Sequence, residues 1–219
     1  AARQALQAAF GDWKSPSAFL RVPQPATPEQ PVRLVLATPD KQNATMLVRL
    51  SLPITDNDAD YPALYIANWV LGAGGDSRLW KRIREKEGLS YGVGSYVRWN
   101  NFEPNSSWNA YAIFAPQNRD KVETGFKEEV ARALKDGYGS EEVEAAKKGA
   151  LSARRLGRAQ DANLAGALAG NLYLGRDFAL SQRIDDAIAK LTADQVNAAL
   201  RKYLKPESFV YGLGGDFKN

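Results

Sequence analysis

Leu71-Gly72-Ala73-Gly74-Gly75-Asp76-Ser77-Arg78-Leu79-Trp80-Lys81-Arg82-Ile83-Arg84-Glu85-Lys86-Glu87-Gly88-Leu89-Ser90-Tyr91-Gly92-Val93 is the stretch on which the reading of this sequence turns. Glycines frame it. Gly72, Gly74 and Gly75 end one helix, and Gly88 ends a second that starts at Asp76 or Ser77. At about 100° per residue, Leu79, Trp80 and Ile83 share a face, and Arg84 lies about 40° beyond Trp80, on its margin. A guanidinium there leaves the packed face and still points into a groove. Gly88 is expected at positive φ, so the chain reverses and sets Tyr91 at the start of a strand. A glycine-rich turn before a helix suits phosphate. This one lacks the P-loop lysine and follows a helix rather than a strand, so it is read as a flexible turn.

Working outward, the preceding helix starts from Asp60 with Pro62 in its first turn and carries Leu64, Ile66, Trp69 and Val70. Before it come two Val/Leu-rich strands, 32–37 and 44–52, separated by Pro39 and Asp40. The first 14 residues read as the end of a helix, with Leu6, Ala9 and Phe10 apolar and Gly11 as its stop. Pro16, Pro23, Pro25, Pro28 and Pro31 then mark an extended, stiff linker. On the other side, strands 91–99 and 106–115 join through Asn100, Asn101, Pro104 and Asn105. Helices follow at 120–134, 141–158, 161–174, 180–189 and 192–204, the last with the capping-box pair Thr192 and Gln195, and a strand at 209–213 closes the chain. Hairpin-linked strands, a block of helices and a returning strand describe an α+β domain, with a mainly antiparallel sheet and helices packed on one face. The expected division is 1–31 as the end of a preceding helix plus linker, and 32–219 as the α+β domain.

Composition narrows the chemistry. The 219 residues are 44% hydrophobic and 25% charged, ordinary for a globular chain with a sizeable core. A net charge of +4 permits an acidic partner, but basic and acidic residues are too nearly balanced to imply nucleic acid. There is no cysteine and no histidine. Disulfides, thiol nucleophiles, His-based acid/base catalysis and the Ser-His-Asp and Cys-His arrangements are therefore excluded. Any zinc site would have carboxylates alone, whereas zinc sites normally carry His or Cys. No apolar run is long enough to span a membrane. The opening Ala1-Ala2-Arg3-Gln4, without Met or a signal pattern, is what a processed or excised piece of a longer chain would show.

The 71–93 stretch resembles a signature of the insulinase, pitrilysin and mitochondrial processing peptidase family of zinc metallopeptidases. There a Gly-rich turn leads into Ser-Arg-Leu, then Leu-Arg-Glu-Lys-Glu-Gly-Leu-Ala-Tyr and a strand. Here Ile83 stands for the usual Leu, Ser90 for Ala and Ala73 for one glycine. Looser likeness extends to Phe10-Gly11-Asp12-Trp13, to Lys41-Gln42 and to Thr192-Ala193-Asp194-Gln195-Val196. The resemblance implies two similar α+β halves enclosing a chamber. The N-terminal half carries His-x-x-Glu-His and a further Glu, and the C-terminal half lacks these ligands and closes over an extended peptide. A chain without histidine matches the zinc-free C-terminal half. No cofactor is then expected in this chain, zinc is expected in the N-terminal half, fused or separate, and the chain alone should not cut peptides. In such a half an Arg and a Tyr seven residues later reach towards the substrate and the zinc site, and the matching residues are Arg84 and Tyr91. A fixed phenol and a guanidinium can both donate to a carbonyl oxygen that becomes anionic during hydrolysis.

The alternatives are plainer. Arg84 can instead pair with Glu85 or Glu87 on a solvated surface, with Tyr91 a core aromatic. Lys147, Lys148, Arg154, Arg155 and Arg158 form the densest basic stretch. They are interleaved with Glu141, Glu142, Glu144 and Asp161 and have no stacking aromatic, so they read as a solvated helix face rather than a nucleic-acid groove. The pairs Glu128-Glu129 and Asp185-Asp186 point to different helix faces and are assigned no chemistry. A second function of the same family, a non-catalytic assembly subunit like the core subunits of the respiratory cytochrome complex, competes with the peptidase half, and an unrelated binding module is more remote. The compartment stays open: the resemblance suggests a bacterium, where members of the family occur in both cytoplasm and periplasm.

Overall fold

The computed structural model describes residues 1–27 and 29–217; Pro28, one of the linker prolines, lies outside the described residues. Strands β1 (Arg33–Ala37), β2 (Ala44–Leu52), β3 (Ser90–Arg98), β4 (Ser106–Phe114) and β5 (Val210–Gly215) form one mixed sheet in the order β1-β5-β2-β4-β3. Among the described strands only the β1–β5 pair is parallel; β5–β2, β2–β4 and β4–β3 are antiparallel. The helices are α1 (Ala2–Phe10), α2 (Tyr61–Asn68), α3 (Arg119–Asp136), α4 (Ser140–Arg158), α5 (Asp161–Tyr173), α6 (Ala179–Lys190) and α7 (Ala193–Tyr203).

Alternation in the strands sets the two faces of the sheet. In β2, Ala44, Met46, Val48, Leu50 and Leu52 are buried, as are Trp108, Ala110, Ala112 and Phe114 in β4. They meet apolar residues of α2, α3 and α7 in a single core, where the Trp108 and Phe209 rings stack at 5.4 Å. Leu47 and Tyr111, which alternate with them, and Tyr96 of β3 line the other face and are exposed. Tyr111 pairs in register with both Leu47 and Gly94.

Thr192 caps α7 through the expected capping box, its hydroxyl accepting from the Gln195 amide at 3.3 Å. Gly88 takes the positive φ expected of it, and Gly137 and Gly175 also lie in the left-handed region, just past α3 and α5. Part of the basic stretch of α4 departs from its sequence reading. Lys147 is buried and donates to the Leu191 carbonyl at 2.8 Å, while Arg154 and Arg158 grip Asp185 of α6. These three tie α4 to α6 and its end, through partners that arrive from later in the chain, whereas Lys148 and Arg155 are exposed as a solvated face requires. Glu129 is wholly buried while its neighbour Glu128 is exposed, so that pair does diverge as expected.

The Pro-rich segment is extended but moored. Phe19 meets Tyr173 edge-on at 6.2 Å, and Arg21 stacks over Phe102 at 4.4 Å and pairs with Glu103. Asn105 donates to the Gln24 carbonyl at 3.0 Å, and Glu29 pairs with Arg49 at 3.1 Å.

Candidate functional site

The site grows from two helical turns wider than an α-helix. After α2 the chain continues as a π turn, Trp69–Ala73, and after the glycine turn a second π segment runs Trp80–Lys86. Single π turns inside helices concentrate at functional sites. The glycine turn itself is not loose. A Cβ on Gly72 would lie 2.6 Å from the Ser95 backbone nitrogen, and one on Gly74 would meet Trp69 at 2.8 Å, so both glycines permit close packing against their neighbours. Within the turn only Gly75 has open space around it. The expectation of a flexible turn is corrected: the chain is pressed onto β3 here.

Below the turn a buried polar knot fixes β3. Asn68 Oδ1 accepts from Ser95 Oγ at 2.7 Å and from Trp108 Nε1 at 2.8 Å, so one side chain joins α2, β3 and β4. Leu79 and Ile83 are fully buried and Trp80 packs against the core, as their shared face requires.

Arg84 and Tyr91 meet at the start of β3. Arg84 Nη1 donates to the Tyr91 carbonyl, and its guanidinium carbon sits 4.4 Å from the Trp80 ring centroid. Neither ion pair considered from sequence forms: Glu87 takes Arg82 at 3.0 Å, and Glu85 accepts from Trp80 Nε1 at 3.2 Å. The guanidinium is thus held by an aromatic face and a carbonyl, and it keeps donors to spare out of its five N–H groups.

Tyr91 is not the first residue of a regular strand, as its place after Gly88 suggested. Ser90 pairs with Phe114 and Gly92 with Ile113, so Tyr91 is the extra residue of a β-bulge. Ser90 pins the bulge, its hydroxyl donating to the Ile113 carbonyl at 2.6 Å and accepting from the Gly92 amide at 3.1 Å. Tyr91 is 58% exposed, so the core-aromatic alternative does not hold. A bulge re-aims a side chain away from the alternation of its strand, and here the residue it frees is the one whose backbone carbonyl holds the Arg84 guanidinium. Sequence reasoning missed Trp80 as the platform of Arg84 and Ser90 as the clamp of the bulge. Their signal, an aromatic four residues before Arg84 and a hydroxyl next to Tyr91, is too common to single out.

Among the described residues no group of three or more Asp or Glu side chains is placed to hold a metal ion. No described helix is long and apolar enough to cross a membrane.

Residues 1–150 match the family model described as "Peptidase M16 inactive domain". A curated relative, the non-peptidase homolog YmxG of Helicobacter pylori, is 23% identical over 174 residues, which is 80% of this chain and 40% of the relative. Among solved structures, a peptidase M16 inactive domain from Pseudomonas fluorescens aligns with a TM-score of 0.75 at 24% identity, over 90% of this chain and 46% of that one. A protease from Helicobacter pylori aligns with a TM-score of 0.82 at 15% identity, over 97% of this chain and 51% of that one. The chain therefore spans about half the length, or less, of these relatives.

Proposed function

The chain belongs to the peptidase M16 family, as an inactive domain of it, and from that premise we propose that it is the zinc-free half of a metalloendopeptidase. It pairs with a zinc-binding half, in the same polypeptide or as a separate subunit, closes a chamber with it and contacts an extended peptide. Zinc, if bound in the partner half, would supply the Lewis acid that polarises the scissile carbonyl and activates water. This chain supplies hydrogen-bond donors. Tyr91 donates its phenolic proton to the carbonyl oxygen as negative charge gathers there, and Arg84 offers its free N–H groups to the same oxygen or to a neighbouring peptide carbonyl.

One observation carries this reading: Arg84, seated on Trp80 and tied to the Tyr91 carbonyl, is held beside an exposed tyrosine that a bulge has lifted out of its strand. Arg84 is anchored before substrate arrives, and a donor that needs no reorganisation during reaction is the kind that stabilises developing charge. The test is an assembled enzyme holding both halves. Tyr91→Phe should lower kcat about 10- to 1000-fold, the effect of losing one preorganised donor, with little change in melting temperature. Arg84→Lys should also lower kcat, because an ammonium cannot both stack on Trp80 and fork to two acceptors. Full activity in both variants would overturn the reading.

A second reading has its own support. YmxG, the Helicobacter pylori relative, is described as a non-peptidase homolog, which favours a non-catalytic assembly role for this chain. It predicts an assembled complex without peptidase activity even with wild-type Arg84 and Tyr91.

A further inference from the structure

The sheet face turned away from the helices holds a hollow of about 200 Å3, bounded by Leu47 and Arg49 of β2, Tyr96 of β3, Asn109 of β4, and Val210 and Gly212 of β5. The register explains it. Gly212 stands between Leu34 and Leu47 of the neighbouring strands, and nothing lies within 4 Å of where its Cβ would be. No neighbour requires a glycine there, and glycine inside a strand weakens it. Its effect is to keep the hollow open, with bare backbone as part of the floor. At the rim Leu47 is 57% and Tyr96 50% exposed. Sites for drug-sized ligands run to about 300–1,000 Å3, so this smaller hollow fits one large apolar side chain.

Charge narrows the occupant. By the alternation of the strands, the charged strand residues of this face are Arg49 and Arg98, both positive, among the described residues. Arg49 already holds a carboxylate from an extended segment: Glu29 of the N-terminal arm reaches its Nε at 3.1 Å. The guanidinium keeps further N–H donors. The hollow also shares a strand with the bulge. Tyr96 lies five residues beyond Tyr91 in β3, roughly 16 Å at the rise of a strand, which an extended peptide crosses in about five residues.

We propose that the hollow is a specificity subsite for an extended peptide, taking an apolar side chain of Leu to Phe size while Arg49 takes an acidic side chain two residues away. Alternate residues of an extended chain share a face, so the preferred motif is apolar-x-acidic. The assignment rests on the peptide contact put forward above and adds its preference, with the motif about five residues from the scissile bond.

The test measures binding to the intact chain by fluorescence anisotropy, using labelled Gly/Ser dodecapeptides that carry Phe-Ser-Glu, Gly-Ser-Glu or Phe-Ser-Gln. The first should bind about 10-fold tighter than the second and about threefold tighter than the third. Gly212→Val fills the floor without a clash, so it should weaken the first peptide about 10-fold while the melting temperature holds or rises. Arg49→Gln should erase the difference between the first and third peptides. Equal binding of the first two peptides, or unchanged affinity in folded Gly212→Val, overturns the subsite. Turnover by the assembled enzyme separates this outcome from the catalytic reading. A Phe preference lost in Gly212→Val, together with full turnover in Tyr91→Phe and Arg84→Lys, keeps the subsite and overturns that reading. Reduced turnover in those two variants with no Phe preference overturns the subsite alone. Dimerisation of this chain that Gly212→Val abolishes assigns the face to a second copy and overturns the proposal.

Discussion

Asn68 shows how much one side chain can carry. It is buried, and its carbonyl oxygen accepts from both Ser95 and Trp108. Asn68→Ala leaves a buried indole N–H and a buried hydroxyl without this acceptor, and each such orphan costs about 1–3 kcal/mol. We expect a loss near 2–3 kcal/mol, read as a fall in melting temperature of roughly 5–10 °C for a chain of this size. Gly72→Ala should cost about 1–3 kcal/mol by a different route, since the new methyl would press on the Ser95 backbone and force β3 or the π turn to shift. A Gly72→Ala protein that melts with the wild type would show the turn to be as loose as its glycines first suggest. Of the site itself, the residues were legible and their setting was not. Arg84 and Tyr91 stand out by spacing within a motif. Ser90-Tyr91-Gly92-Val93 reads equally well as an unbroken strand, because a bulge is decided by the partner strand, here by the Ile113 carbonyl that Ser90 seeks.

At the scale of elements, β1 is held to the helical layer by a charge pair. Arg33 donates to both carboxylate oxygens of Glu123 in α3, at 3.1 and 2.8 Å. That fork, aided by Lys127, pulls the Glu123 carboxyl down from its ordinary 4.5 to about 2. A carboxylate with a depressed folded-state value contributes stability that is fully present above its unfolded value. This stability is lost as pH falls from about 4.5 through about 2. Arg33 is half exposed, so screening reduces the contribution to about 1 kcal/mol. Glu123→Gln should therefore unfold at lower urea than wild type at pH 7, and the two curves should converge near pH 2. A gap that persists at pH 2 would trace the loss to packing instead. The helix boundaries were readable because caps and glycine stops are local. The widening of Trp80–Lys86 to a π segment was not, since the two windings differ little in apolar pattern over so few residues. The clamps of Arg154 and Arg158 on Asp185 escaped for the opposite reason: nothing near them in sequence names their partner.

For the whole molecule, the arm and the sheet closure set what folds as a unit. Lys14 lies in an exposed stretch, whereas Arg21 is held by Phe102 and Glu103. Trypsin should cut after Lys14 first and after Arg21 at least about tenfold more slowly, because cleavage there waits on local release. Mass spectrometry of the first stable core decides the outcome. A start at Ser15 places the moored linker with the domain, and a start near Val32 supports a boundary at residue 31.

β5 lies between β1 and β2, although among the described strands it comes last along the chain. A ribosome therefore releases the sheet's first two strands long before the strand that joins them exists. Until β5 is made, β2 presents an open edge on that side, the kind of edge that recruits foreign strands. Val210–Gly215 supply the wedge that seats β1, so this seam of the sheet closes only once they have been made. A chain truncated before Val210 would lose the seam, and its β1 would have nothing to pair with.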